Sequence, residues 1–157
     1  MKGNKMFENY CGRPFKFGIT DCYTMVRDFY KKEFGIELRN YARYDKFWED
    51  ESLYAKFFQK EGFKLVDDSF EFGDLIFVAL GASVACHAAI WIGNGKILHH
   101  VQNRLSSIDR YDTIWKNWTV GVVRHKSQPG LKFKPKVFDI CERKINGNFN
   151  PTEKILL

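Results

Sequence analysis

The sequence predicts an α+β domain, with N-terminal helices packed on an antiparallel β-sheet, from three observations. Helical patterns fill the chain up to Gly62. Apolar and β-branched runs of strand length dominate after it. Two of those runs flank Gly93-Asn94-Gly95, which is a hairpin signal.

Residues 1 to 19 read as an irregular lead-in, punctuated by Gly12, Pro14 and Gly18. Thr20 or Asp21 can cap a helix that runs to about Phe34 and stops at Gly35. Cys22, Val26, Phe29 and Tyr30 share one face of it, with Met25 beside them, so the thiol lies in the first turn of a core-packing helix. A second helix is predicted from about Asp45 to Glu61, and its stripe of Phe47, Trp48, Tyr54, Phe57 and Phe58 reads as ordinary core. Phe63 to Val66 is a short strand. Leu75 to Leu80 is a continuous apolar run and reads as a buried strand. His87 to Ile92 and Lys96 to Val101 form the hairpin, and Gly121 to His125 is a last strand. Arg104 to Trp118 reads as a polar and aromatic connection in which Trp115 and Trp118 pack. His125 reads as a solvated strand-end histidine.

A chain of 157 residues fits one domain with a tail, expected as 1–125 and 126–157. At 45% hydrophobic and 17% aromatic it can bury a proper core. The net charge of +6 suits acidic partners, but the basic residues are spread, so no nucleic-acid partner is predicted. From Lys126 onward the chain carries seven basic and three acidic residues, interrupted by Pro129, Pro135 and Pro151. This segment reads either as an arm that docks on its own domain or a partner, or as a terminus without a role. The first ten residues lack an apolar signal core and no run is long enough to span a membrane, so a standard secretion signal is not expected.

Cys11, Cys22, Cys86 and Cys141 form no CxxC pair, which excludes a zinc pattern and a dense disulfide framework. No metal or cofactor is called for: there is no HExxH, P-loop or GxGxxG after a strand.

Free cysteine is most often a buried, inert residue, and Cys11, Cys86 and Cys141 are read that way. Cys22 differs. It opens a helix, where the macrodipole favours the thiolate, and histidines follow on strands. That is the composition of a cysteine hydrolase. Its own backbone N–H at the helix start can serve as an oxyanion donor, and Asp21 reads as a cap. His87 would be the base, although alone it reads as a satisfied sheet-edge histidine. Whether His99 or His100 shares its face is a matter of parity. A two-residue turn at Asn94-Gly95 pairs Ala89 with His100. A three-residue Gly93-Asn94-Gly95 loop, with Gly95 left-handed in a bulge, pairs Ala89 with His99. The string allows both.

Several segments together resemble the NlpC/P60 family of cysteine peptidases. Gly12-Arg13-Pro14-Phe15-Lys16-Phe17-Gly18 with Asp21-Cys22 is similar to the approach to that family's nucleophile. Gly73-Asp74-Leu75-Ile76 and His87-Ala88-Ala89-Ile90-Trp91-Ile92-Gly93 resemble two of its strands, and Leu98-His99 falls where its third catalytic residue lies. The resemblance covers about Tyr10 to His125. It implies a papain-like α+β fold, with Cys22 as nucleophile, His87 as base and His99 as its orienter. Val26-Arg27-Asp28-Phe29-Tyr30 and Gly35-Ile36-Glu37-Leu38 look like the phage-tail branch. That branch implies a peptidase of bacterial peptidoglycan in a virion tail tip, delivered by the virion and acting in the cell wall or periplasm. The arm would then anchor to hub or baseplate proteins. Phe15 stands where many members have a tyrosine, so Tyr10, Tyr23 or the Cys22 backbone would supply the missing support. The alternatives are a structural tail-tip component with a vestigial site and, more weakly, a CHAP-type amidase or a papain-like acyltransferase.

Overall fold

The computed structural model describes residues 5–43, 52–67 and 69–129. Helix α1 (Cys22–Phe29) begins where Asp21 holds an extended backbone and its carboxylate accepts from the Thr24 N–H. Cys22, Met25, Val26 and Phe29 are its buried side. A π-helical turn, Tyr30–Phe34, prolongs it, and Gly35 at φ 67° ends it in the left-handed region that glycine enters freely. A 3-10 helix, Lys5–Tyr10, stands in the lead-in that was expected to be irregular. Phe7 and Tyr10 plug it into the core, with ring centroids 6.2 and 5.8 Å from Phe29.

Helix α2 (Leu53–Phe57) ends before the expected Glu61, and most of the expected helix's first half lies outside the described residues. After Phe58 the chain reverses: the Gly62 N–H bonds Gln59 O and the Phe63 N–H bonds Phe58 O, which turns the backbone into the sheet. Phe47 and Trp48 lie outside the described residues.

Among the described residues six strands form one antiparallel sheet in the order β1-β6-β2-β3-β4-β5. They are β1 (Phe63–Leu65), β2 (Leu75–Val78), β3 (His87–Gly93), β4 (Lys96–His99), β5 (Ser107–Arg110) and β6 (Thr119–His125). The Arg104 to Trp118 segment is therefore more than a connection. Ser107–Arg110 pairs with all of β4, and Asp112 caps helix α3 (Thr113–Trp118). The short Ser-Ile-Asp-Arg run hides its strand character because its side chains are only partly buried. His125 is buried and not solvated: it bonds Glu61 O at 2.9 Å and packs on Phe63.

Both sheet faces are covered. Leu75, Phe77, Ala88, Ile90, Leu98 and Val123 meet α1 on one side. Ile76, Val78, Ala89, Ile97 and Val122 meet Phe70, Trp91, Tyr111 and Trp115 on the other. A buried Arg124–Asp74 ion pair, with bonds of 2.8 and 2.7 Å, ties β6 to the start of β2. Gly73, just before it, sits at φ +95°, and a Cβ there would come 2.5 Å from the Phe34 ring. Among the described residues no helix is long and apolar enough to cross a membrane.

Candidate active site

The hairpin decides which histidine joins His87. Ile90 faces Leu98, Trp91 faces Ile97, and Gly93 faces Lys96, with one extra residue between Trp91 and Gly93. Asn94 and Gly95 both have positive φ, 53° and 69°, as a tight two-residue hairpin turn requires. The turn is thus the two-residue form, and an irregularity at Ile92 absorbs a residue. That restores the register in which Ala89 is level with His99. Neither loop taken alone describes it.

His87 and His99 therefore share a face, and His87 Nε2 lies 3.0 Å from His99 Nδ1. His99 Nε2 lies 2.8 Å from Asp109 Oδ2, a residue the sequence reading passed over. Its only signal was a carboxylate on the unrecognised strand β5. Arg104 also donates to Asp109, at 3.0 Å. The hydrogen bond from His99 is the main influence on the Asp109 carboxyl, and with Arg104 it holds the pKa at about 2. Trp115 walls the pair, with its ring 4.7 Å from His99 and 6.1 Å from His87. Burial pushes the His87 pKa well below its ordinary value, and the neighbouring His99 adds to this.

The tautomers follow by exclusion. Ionised Asp109 only accepts, so His99 Nε2 carries a hydrogen. In a singly protonated His99 ring Nδ1 is then an acceptor, and His87 donates to it from Nε2. Nδ1 of neutral His87 is left with a lone pair. It has no hydrogen bond among the described residues.

Asp21 fixes the other half of the site. Its carboxylate accepts from Gly18 N–H at 2.7 Å, Thr24 N–H at 2.9 Å, and Arg43 at 2.7 and 3.1 Å. Burial works to raise its pKa, but these donors outweigh it and hold it below the ordinary carboxylate range. The Cys22 thiol is buried and lies 2.8 Å from Tyr54 Oη. Burial pushes its pKa up to about 12, with the Asp21 charge adding. The Tyr54 hydrogen bond and the Ala88 N–H act in the opposite direction. Ala88 is the residue after His87, so the thiol meets β3 at its histidine end. Among the described residues no hydrogen bond joins Cys22 Sγ to either imidazole.

Tyr10 donates to Glu33 at 2.8 Å and Tyr23 to Arg39 O at 2.5 Å, so both hydroxyls are engaged away from the thiol. Phe15 packs edge-on against His100, 5.1 Å between centroids. His100 is buried on the α1 side of the sheet, and its Nε2 has no partner among the described residues.

The family model for NlpC/P60 matches residues 12–124. The chain is 37% identical over 118 residues to tail tip assembly protein K of Escherichia phage lambda, covering 74% of this chain and 59% of that protein. It is 33% identical over 121 residues to tail tip assembly protein K of Escherichia phage N15, covering 75% of this chain and 50% of that one. The match thus spans between half and three-fifths of the length of these relatives. A solved structure of an NLP/P60-family protein, similar to a lipoprotein, from Staphylococcus aureus superposes with a TM-score of 0.53 at 21% identity. It covers 78% of this chain and 39% of that one, and bears on the fold alone.

Proposed function

Because the chain belongs to the NlpC/P60 family, we propose that it is a cysteine peptidase that hydrolyses peptide bonds in bacterial peptidoglycan stems and is carried in a phage-like tail tip. The observation that carries this reading is the His87–His99–Asp109 series, which leaves a lone pair on His87 at the end of β3 where the Ala88 N–H meets the helix-start thiol. In the proposed mechanism His87 Nδ1 takes the Cys22 proton, and the thiolate attacks the amide carbonyl. The backbone N–H of Cys22 stabilises the oxyanion, because the Tyr10 and Tyr23 hydroxyls are committed elsewhere. Imidazolium His87 then protonates the leaving amine, and water, deprotonated by His87, cleaves the acyl-enzyme. The step requires Sγ to leave its resting place on Tyr54 and reach Nδ1 when substrate binds.

Relatives named as tail tip assembly proteins support the tail setting. We extend the proposal to residues 126–157 as a basic arm that docks on neighbouring hub or baseplate proteins, on the strength of its charge and recurring apolar residues.

A second reading, a structural tail-tip component with a vestigial site, is favoured by one observation: the thiol is buried and neutral, with its pKa pushed up to about 12. Digestion of purified peptidoglycan by wild type and Cys22→Ala, read by mass spectrometry, separates the two. Cys22-dependent release of a stem peptide supports the peptidase and identifies the bond. Equal product from Cys22→Ala, or none from folded wild type, would remove that assignment.

A further inference from the structure

The mechanism above leaves one contact unused, the 2.8 Å approach of Tyr54 Oη to Cys22 Sγ. Several features hold the hydroxyl there. Ser52 caps α2 through the Ala55 N–H and donates to Ala85 O at 2.6 Å. That ties the helix carrying Tyr54 to the chain two residues before His87. The Tyr54 ring packs on Phe77 at 5.2 Å and edge-on to Tyr23 at 6.1 Å. Burial keeps the phenol protonated, its pKa well above the ordinary value, and the neighbouring thiol adds to this. Phe15 has no hydroxyl to offer, and those of Tyr10 and Tyr23 are engaged.

We propose that Tyr54 is a catalytic residue of this chain, donating its O–H to the Cys22 sulfur and so stabilising the thiolate that attacks. A hydrogen bond to an ionised acceptor is roughly twice as strong as one between neutral groups, so the bond strengthens as the proton leaves. The proposal rests on Cys22 being the nucleophile, but its test does not need the substrate. The competing role is a clamp, in which the same contact holds a neutral thiol away from His87. The two roles predict opposite effects.

The test compares wild type with Tyr54→Phe, which keeps the ring and its packing. Iodoacetamide alkylation of the full chain is followed from about pH 6 to 10, and Cys22 is resolved from Cys11, Cys86 and Cys141 by peptide mass spectrometry. One pKa unit is a factor of ten in thiolate fraction. The expected result is a Cys22 rate about 10-fold lower at neutral pH and a profile moved up by about one unit. Cys86, buried in the same region, is the internal check: its unchanged rate shows that the substitution has not opened the core. An unchanged or faster Cys22 rate, with Cys86 still protected, overturns the proposal. If wild type fails to cleave peptidoglycan while the profile still moves, the peptidase reading falls and the Tyr54–Cys22 coupling stands.

Discussion

Asp109 Oδ2 lies 2.8 Å from His99 Nε2, and this contact decides which nitrogen of His87, one hydrogen bond further on, keeps a lone pair. An amide at position 109 can present its NH2 to His99 and reverse the series. Asp109→Asn is expected to lower kcat on peptidoglycan about 10²-fold, with KM changed by less than about 3-fold, since loss of the orienting carboxylate in a catalytic triad costs up to about 10⁴-fold. An unchanged kcat would remove Asp109 from the machinery.

The hairpin register separates two adjacent histidines. His99 bonds His87, whereas His100 packs on Phe15 from the other face. His99→Ala is expected to reduce kcat/KM by about 10² or more, and His100→Ala by less than about 10-fold. Steady-state turnover of a stem peptide measures both. The reverse order would mean that the face assignment is wrong.

Acid should destabilise the fold before its carboxylates titrate. Burial lowers the pKa of His87, His100 and His125. A histidine that is neutral when folded binds a proton more readily when unfolded. Its contribution is therefore full above the unfolded value of about 6.5 and is lost as pH falls below it. Denaturant melts between about pH 7 and 5 are expected to show falling stability, and His87→Gln should remove about one proton from the slope. A flat profile would contradict buried neutral rings.

Asp21 and Arg43 form a buried pair, with side chains 2% and 3% exposed, so removing one partner strands the other. Asp21→Ala also deletes the cap of α1. The expected loss is about 3 kcal/mol or more, because breaking a buried ion pair leaves an uncompensated charge. A urea melt within about 1 kcal/mol of wild type would show that Arg43 finds solvent.

Much of this was legible in the chain itself. Alternation and apolar runs placed β2, β3, β4 and β6 to within a few residues, and the Asp21 cap with Gly35 bounded the first helix. What escaped was carried by weak local signals. Ser107–Arg110 is half-buried, so it shows little of the pattern that marks a strand. Tyr54 looked like one more aromatic on a core stripe. His125 looked like a strand end because the Glu61 carbonyl that receives it is distant in sequence.

The sequence by itself determined the α+β class, the helix-start thiol and the pair of histidine-bearing strands, because periodicity, capping and turn chemistry act over a few residues. Only the tertiary structure decided that a two-residue turn plus an irregularity at Ile92 aligns His99 with His87. It also decided that Asp109 orders their protons, and that the thiol rests on Tyr54 with its pKa at about 12. Those outcomes depend on burial and on contacts between segments far apart in the chain, and local propensity carries no record of them.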